Sequence, residues 1–260
     1  MIPALEQWPG AGWEVISEAP YSPAVNLAVD EVVMRQVQEE RRPPTLRFWG
    51  WSCRAVIIGR FQSVRNEIDL DAAKEMGVEV ARRISGGGAM FVEPEKTITY
   101  SLYMPERLLA GLSIKASYEA CDSWAVACMQ SLGVEARYAP LNDIISSAGK
   151  MGGAAQARKP GVVLHHTTIA YQMDPQEMMR LLRIGRERLS AKGIPSAAKQ
   201  VDPLRRQTDL PRPEVVSQLI DCFRKRFGLE EGRLSEEDLR ASDILAREQY
   251  GTEKWMFELP

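Results

Sequence analysis

Residues 82–89 read Arg-Arg-Ile-Ser-Gly-Gly-Gly-Ala and are the most informative stretch of the chain. Glycines lack a Cβ, so their backbone N–H groups can approach an anion closely and form a concave nest for phosphate. Arg82 and Arg83 precede them on a predicted strand, where successive side chains point to opposite faces. We therefore expect one arginine to line a site and the other to lie on the outer face or the far side of the sheet. The alternative is a glycine-rich turn with surface arginines.

The segments before the glycines predict a helix and then three strands. Ser22-Pro23 is typical of a helix start, and Val29, Val33 and Val37 recur every four residues, which predicts a helix to about Glu40. Alternating or continuous apolar residues predict strands over 46–49, 55–58 and 78–81, with a short helix over 69–76 before the last of them. The strand at 55–58 is solidly apolar, so we expect it to be buried and central.

The segments after the glycines continue this mixture. We predict strands over 98–102, 134–138, 142–147 and 162–171 and helices over 113–132, 213–227 and 235–250, and a further helix that starts at Asp174. Small, basic and proline residues over 149–161 suggest a hairpin above a site. The basic stretch 183–206 is expected to be a flexible linker that could act as a lid. This order does not alternate strictly between strand and helix, so it predicts an α+β domain built on a mixed, largely antiparallel sheet flanked by helices, and not a doubly wound nucleotide fold.

Composition narrows the function classes. The chain has 260 residues, and 33 Lys+Arg against 35 Asp+Glu give a net charge of -2, so no overall field favours nucleic acid or a membrane as partner. No apolar run is long enough to span a membrane, and the N-terminus does not resemble a signal peptide, so we expect a cytoplasmic protein. The cysteines at 53, 121, 128 and 222 are scattered and are expected to be small core residues in a reducing compartment.

Three further places have side chains that chemistry could use. Lys150 stands among glycines that would let a long cation reach a ligand, although a lone lysine is more often a surface charge. Asn142-Asp143 could hold Mg²⁺ through a carboxylate, and a turn or cap is the alternative. His165 and His166 alternate faces on a predicted strand, so one of them is expected to reach the cleft.

Together these segments resemble the lipoate-protein ligase A and octanoyltransferase superfamily over nearly the whole chain. The resemblance rests on the following stretches, in this order: 26–31 (NLAVDE), 46–49 (LRFW), 56–62 (VIIGRFQ), 82–89 (RRISGGGA), 142–144 (NDI) and 149–154 (GKMGGA). It implies the fold of the biotin and lipoate ligase catalytic domain. It also implies an enzyme whose partners are lipoyl domains of 2-oxoacid dehydrogenase E2 subunits or the glycine cleavage H protein.

The resemblance to lipoate-protein ligase A implies an ATP-dependent reaction. Lipoate is first joined to the α-phosphate of ATP as lipoyl-AMP, and a protein lysine then attacks the carbonyl and expels AMP. By resemblance, Lys150 bridges phosphate and acyl carbonyl as the catalytic residue, and Asp143 assists Mg²⁺. Arg83 contacts nucleotide phosphate, and His166 belongs to the same binding site. The remaining binding residues implied are Gly86, Gly87, Gly88, Ala89, Met90 and Phe91.

Several features depart from the ligase pattern. Val92-Glu93 stands where many ligases have His-Asp, and Thr99 stands near a common Asn. We expect 1–260 to be a single catalytic domain that lacks the small accessory domain of two-domain ligases, so that a separate small protein could be needed for adenylation.

Two other functions remain open. The stretch 155–164 resembles octanoyltransferases that use acyl-carrier protein, but those enzymes need a cysteine nucleophile. No residue from 141 to 221 is a cysteine, and the nearest upstream cysteine, Cys128, lies inside a predicted helix. That absence favours the ATP route. The third candidate is a non-catalytic protein that binds lipoyl-adenylate or a lipoyl domain, against which the retained Lys150 argues.

Overall fold

The computed structural model describes residues 3–183 and 200–259, and within them two sheets form the frame. The strands are β1 (Glu14–Ser17), β2 (Thr45–Trp49), β3 (Ala55–Ile58), β4 (Glu79–Arg82), β5 (Met90–Val92), β6 (Thr97–Pro105), β7 (Arg137–Ala139), β8 (Asp143–Ile145), β9 (Lys150–Lys159), β10 (Val162–Ala170) and β11 (Glu230–Glu231). The large sheet has the order β11-β1-β2-β6-β10-β9-β8-β7, and the small one β4-β3-β5. Strand β1 pairs in parallel with β2 and β11, and β3 with β4, while the other pairs are antiparallel. The predicted α+β class is confirmed.

Helices cover both faces of the large sheet, and others pack beside the small sheet. They are α1 (Pro23–Gln38), α2 (Val64–Glu67), α3 (Leu70–Glu75), α4 (Ile114–Ser131), α5 (Pro175–Leu181), α6 (Arg212–Phe227), α7 (Glu236–Leu245) and α8 (Glu253–Met256). Helices α4 and α6 cover one face, where Trp124 and Phe223 are almost fully buried. Helix α1 covers the other face and packs against α7. Burial of these apolar stripes is the main force that fixes the layers.

The predicted elements are present, with shifted ends. Ser22, Asp69, Ser113 and Ser235 are the N-caps as expected, and each side chain accepts a hydrogen bond from a backbone N–H in the first turn. The helix expected over 235–250 ends at Leu245 and continues as a π-helix over Ala246–Tyr250. The strand expected from residue 134 begins only at Arg137, because Val134 closes the end of α4 through its N–H to Met129 O.

The segment expected to be a hairpin above a site is itself part of the large sheet. Strand β9 runs from Lys150 to Lys159 between β8 and β10, and Pro160-Gly161 makes the turn into β10. Small side chains are needed there because the strand forms the wall of a cavity, described below. Of the expected lid, residues 184–199 lie outside the described residues. Residues 200–202 pair with the start of β9, where Lys150 N donates to Gln200 O at 2.7 Å.

Of the two placements expected for one arginine of the pair, the outer face or the far side of the sheet, the outer face is wrong for Arg82. Its side chain is completely buried and donates to backbone carbonyls on two segments. Three acceptors, at residues 59, 60 and 62, follow β3, and two, at Trp255 and Met256, belong to α8. Trp255 Nε1 donates back to Arg82 O at 2.8 Å. The guanidinium has five N–H groups in a fixed fork, which suits it to bind several carbonyls from two segments at once.

Across the described parts of the chain, no helix combines the length and apolar character that crossing a bilayer requires.

Candidate functional site

A cavity of about 220 Å³ lies where the glycine-rich stretch faces the large sheet. The described residues that line it are Arg83, Gly87, Gly88, Ala89, Met90, Phe91, Thr97, Asn142, Asp143, Lys150, Met151, Gly152, Gly153, Ala154, Ala155, His166, Thr168, Ala170, Met173, Met178, Leu182 and Val201. The connection from β4 to β5 forms one side of the cavity, and β9 and β10 form another. Segments that are distant in sequence therefore meet at one site.

The glycine loop, residues 86–88, is held against the end of β3. A Cβ on Gly59 would overlap the carbonyl oxygen of Gly87, so only glycine at position 59 permits this approach. Gly87 itself has φ +92, a conformation that favours glycine. Arg60 N donates to Ser85 O at 2.8 Å and fixes the start of the loop. The loop is thus a built feature and not a loose surface turn, which disfavours the alternative of a simple turn.

Arg83 holds the glycine loop from inside. Its guanidinium donates to the carbonyls of Ile57, Gly86 and Gly88 at 2.9, 2.6 and 2.8 Å, and its Nε donates to Ser85 Oγ at 3.0 Å. Burial lowers the pKa of Arg83 to about 10, so the group stays cationic at neutral pH. Arg83 lines the cavity as one of the expected site residues, but most of its donors are committed to the loop. Its contact with nucleotide phosphate remains a prediction.

Lys150 stands at the first position of β9, beside an irregularity in the pairing with β8. Its Nζ lies 2.7 Å from Asp143 Oδ1, and the two side chains are 30% and 10% exposed. A Cβ on Gly153 would lie 2.6 Å from that Nζ, so the missing side chain is what makes room for the amine. The strand and its glycines therefore aim a partly exposed cation into the cavity.

The carboxylate of Asp143 is a poor candidate for a resident metal ligand. It is the single carboxylate among the described lining residues, and it already faces the Lys150 ammonium. No group of three or more His, Cys, Asp or Glu side chains able to hold a metal is present in the part of the chain that the structure describes. Mg²⁺ usually takes one or two carboxylates together with phosphates, so the only fit here would be with an ion that arrives with a nucleotide.

An apolar wall completes the cavity, and sequence reasoning found only its Met90 and Phe91. It is formed by Met90, Phe91, Met151, Ala170, Met173, Met178, Leu182 and Val201. Helix α5 and its flanks supply several of these, and Arg54 ties α5 to the small sheet through Glu177 at 2.6 Å. Methionine side chains are flexible and fill irregular space, so such a wall suits a long apolar ligand. An apolar pattern on a short helix resembles core packing, so no sequence signal distinguished these residues.

His166 lines the cavity and is linked to two buried side chains. Its Nε2 lies 2.6 Å from Ser85 Oγ, and its Nδ1 lies 2.9 Å from Asp30 Oδ2 on α1. Burial lowers the pKa of His166, although Asp30 acts in the opposite direction. As expected, one of the two histidines reaches the cleft. Sequence reasoning assigned no role to Ser85 or Asp30.

His165 points to the opposite face of β10 and contacts the Asp122 carboxylate of α4 at 2.9 Å. Burial opposes the charged form of His165, but Asp122 and Cys121 outweigh that effect and raise the pKa of His165 to about 10. His165 is therefore part of the core beneath α4 and lies outside the cavity lining.

The cysteines lie away from the cavity. Cys121 and Cys128 are buried in α4, while Cys53 and Cys222 are partly exposed, so only the first two match the expected burial. Burial raises the pKa of Cys128 and raises the pKa of Cys53 to about 11. Thiols of this kind are poor nucleophiles at neutral pH, because the thiolate is the reactive form.

The structure brings the expected site residues together, with the exception of Gly86. Gly86 lies outside the lining, where its carbonyl accepts from Arg83 and a Cβ would meet the Phe61 ring at 3.9 Å. Of the departures from the ligase pattern, Glu93 is buried and paired with Lys96 at 2.9 Å. Thr99 bonds Thr168 across the sheet at 3.3 Å. Thr99 does not line the cavity, whereas Thr97 and Thr168 do.

Comparison with known protein families gives one match over most of the chain. The model of the lipoyl protein ligase A/B catalytic domain matches residues 22–224. Among curated proteins, octanoyltransferase LipM of Brevibacillus brevis is 28% identical, with 96% of this chain and 99% of that protein covered. LipM of Symbiobacterium thermophilum is 29% identical, with 94% and 97% covered.

Solved structures of similar shape are lipoate-protein ligases. The bi-partite lipoate protein ligase of Thermoplasma acidophilum, described with its E2 lipoyl domain, gives a TM-score of 0.81 at 26% identity and covers 96% of this chain and 98% of its own. A lipoate-protein ligase A bound with ATP gives 0.81 at 25% identity, with 96% and 100% covered. The sequence relatives and the structural neighbours therefore carry two different activities.

Proposed function

The chain belongs to the lipoyl protein ligase A/B catalytic domain family, and from this premise we propose that it transfers a medium-chain acyl group, octanoyl or lipoyl, to the acceptor lysine of a lipoyl domain. One observation carries the proposal. The cavity combines an apolar wall with the Lys150–Asp143 pair and the glycine loop, so an apolar acyl chain and its polar carbonyl both find complementary surroundings.

Each part of the site has a role in this proposal. The methionines, Phe91 and Leu182 bury the acyl chain, which gains about 0.8 kcal/mol for each methylene removed from water. Lys150 faces the acyl carbonyl and stabilises the negative charge that develops on its oxygen during attack. Gly87 and Gly88 line the same space, and we propose that the glycine loop receives anionic groups of a donor there.

Our first candidate donor is an octanoyl thioester of a carrier protein, which is supported by the octanoyltransferase names of the sequence relatives. The acceptor lysine amine attacks the thioester carbonyl, an amide C–N bond forms, the C–S bond breaks, and the carrier thiol leaves with the proton from the amine. Since no cysteine lines the cavity among the described residues, we propose direct transfer without a cysteine-bound intermediate.

The second candidate donor is lipoyl-AMP made from lipoate and ATP, the ligase activity that we expected first. It is favoured by the same lack of a cysteine in the lining and by the likeness to ligase structures at TM-scores of 0.81. In this version AMP is the leaving group. A separate small protein that assists adenylation belongs to this candidate, and the similar Thermoplasma acidophilum ligase is bi-partite.

Mass spectrometry of an apo lipoyl domain can separate the candidates. We would incubate the domain and the purified chain with octanoyl-carrier protein, with lipoate plus ATP and Mg²⁺, or with preformed lipoyl-AMP. An octanoyl mass increase in the first reaction supports the thioester donor, and an ATP-dependent lipoyl increase supports the ligase. Activity in the third reaction alone would indicate that a partner makes the adenylate. No increase in any reaction, with an E2 lipoyl domain or an H protein as acceptor, would refute the proposed function.

A cysteine-free variant tests the direct route. With Cys53, Cys121, Cys128 and Cys222 replaced by alanine or serine, we expect acyl transfer to persist, at some cost in stability from cavities at the buried positions. Loss of octanoyl transfer in a folded variant, or on alkylation of one thiol in the unmodified chain, would show a cysteine intermediate and contradict direct transfer.

A further inference from the structure

Ser85, His166 and Asp30 form a chain of hydrogen bonds behind the glycine loop. Ser85 Oγ and His166 Nε2 are 2.6 Å apart, and His166 Nδ1 and Asp30 Oδ2 are 2.9 Å apart. The three side chains are 0%, 5% and 1% exposed, so water does not compete for these bonds. They come from the β4–β5 connection, β10 and α1, and therefore tie the loop across the sheet to a helix.

The available donors and acceptors determine which group donates in each of these hydrogen bonds. Asp30 is an acceptor and already takes hydrogen bonds from Ser101 and Tyr103, so His166 Nδ1 must donate to it. A neutral His166 then presents a lone pair at Nε2, which accepts from the Ser85 hydroxyl. Ser85 Oγ in turn accepts from Arg83 Nε at 3.0 Å. The chain of donors runs from Arg83 through Ser85 and His166 to Asp30.

The charged and titratable groups around His166 come from several elements. Asp30 on α1 contacts it directly, and Arg47 on β2 lies 3.8 Å from the same carboxylate. Arg83 at the end of β4 and His165 on β10 both disfavour a positive charge on it. Tyr103 on β6 bonds Asp30 and stays neutral, because burial raises its pKa well above the usual value.

We propose that Asp30 is a positioning residue for acyl transfer: it holds His166 in the tautomer that accepts from Ser85, and so keeps Arg83 and the glycine loop in the shape that lines the cavity. This inference rests on the proposed function, because its kinetic consequence is measured on acyl transfer. Asp30 itself does not touch the cavity. It acts through His166 in the way that a buried carboxylate orients the histidine of a triad.

The arrangement gives the site a sensitivity to acid. When His166 gains a second proton, Nε2 becomes a donor and can no longer accept from Ser85, so the hydroxyl must turn away and the loop loses this anchor. Burial and Arg83 keep the pKa of His166 below its usual value, so the change belongs to the acid side of pH 6.5.

Nitrogen-15 NMR of the unmodified protein tests the hydrogen bonds of His166 without an assay of acyl transfer. The chain contains two histidines, so the imidazole spectrum has few signals, and His165→Gln or His166→Gln assigns them. At pH 7 we expect His166 to be neutral with the proton on Nδ1. A proton on Nε2, or a doubly protonated ring at pH 7, would overturn the proposal. If acyl transfer failed with every donor, the proposed function would be wrong, and this measurement would still show whether Asp30 holds His166 in the expected tautomer.

Kinetics of Asp30→Asn and Ser85→Ala test the consequence for transfer. Loss of a charge-assisted hydrogen bond is expected to lower kcat/KM by on the order of tenfold to a hundredfold. The matched control is Ser101→Ala, which removes another buried hydrogen bond to Asp30, together with the acceptor of Trp49 Nε1, but keeps both hydrogen bonds of His166. Its kcat/KM should stay within about twofold of that of the unmodified protein.

The pH profile separates positioning from a purely structural role. In Asp30→Asn the acid limb of kcat/KM should move to lower pH, because the carboxylate that favours the charged form of His166 is gone. An unchanged acid limb, or equal losses for Ser101→Ala and Asp30→Asn, would show that Asp30 acts only on stability. Should Asp30→Asn fail to fold, Ser85→Ala, which leaves the carboxylate in place, supplies the rate comparison.

Discussion

Lys150 is the residue whose charge the proposed chemistry uses most directly. Lys150→Ala should lower acyl transfer by on the order of a hundredfold, because a cation placed for the developing oxyanion is worth a few kcal/mol. Lys159→Ala is the matched control: it removes a lysine from the other end of the same strand, where its partner is Glu31 at 3.2 Å. Equal activity of the two variants in the mass assay would remove Lys150 from the mechanism.

Gly153 leaves space for the Lys150 amine, and Gly59 leaves space for the Gly87 carbonyl, so alanine at the two positions should have different effects. A Cβ at 153 would meet the Lys150 amine, a movable group, so Gly153→Ala should reduce transfer while changing the free energy of unfolding by less than about 1 kcal/mol. A Cβ at 59 would meet the Gly87 carbonyl, so Gly59→Ala should cost about 1–3 kcal/mol as well as activity. Urea unfolding beside the transfer assay checks both, and full activity of Gly153→Ala would mean that Lys150 does not need its observed position.

At this scale the sequence indicated which residues meet but not what each one does. The motif and the glycine-flanked lysine predicted that Arg83, Lys150 and the glycines share a site. The opposite faces of Arg82 and Arg83 were also predictable. The destination of Arg82 was not, because its acceptors are backbone carbonyls, and two of them, in α8, are more than 170 positions away in the chain. Backbone carbonyls leave no trace in side-chain patterns.

At the scale of elements, α8 depends on Arg82. Arg82→Lys keeps the charge but loses the fork of donors, so the carbonyls of Gln62 and Met256 lose the guanidinium N–H groups that they accept from. We expect the free energy of unfolding to fall by at least about 2 kcal/mol, since each buried unpaired group costs on the order of 1–3 kcal/mol. Thermal and urea unfolding measure this. The comparison is Arg65→Lys, which touches the same segment only by stacking on Phe257 and should change stability by less than about 0.5 kcal/mol. Similar losses in both variants would contradict the role of Arg82.

Elements with strong local signals were predictable, and those defined by long-range pairing were not. Caps at Ser22, Asp69 and Ser235 marked helix starts because the capping bond is local. The small residues of strand β9 carry no alternating pattern, so the sequence predicts a hairpin above the site there and not a strand of the large sheet. Its strand conformation depends on β8 and β10 on either side, and pairing of that kind is invisible in a single stretch of sequence.

For the whole molecule, the two histidines set opposite pH dependences of stability. The pKa of His165 is raised to about 10, so its contribution is complete below about pH 6.5 and is lost as the pH rises toward 10. The pKa of His166 is lowered, so stability falls as the pH drops below 6.5. We expect the free energy of unfolding from urea titrations to peak near pH 6.5. In His165→Gln the alkaline decline should flatten, and an unchanged decline would contradict the assignment.

The methionine-rich wall of the cavity makes the protein a target for oxidants. Met90, Met151, Met173 and Met178 contribute sulfur to the surface that is proposed to bury the acyl chain. Conversion of a thioether to a sulfoxide turns an apolar side chain into a polar one, and methionine sulfoxide reductases can reverse it. Of these, Met90 and Met178 are partly exposed and should react before the buried Met151 and Met173. Mild peroxide would then weaken acyl binding without unfolding the chain, and reductase treatment would restore it, so lipoyl attachment would respond to the oxidative state of its surroundings.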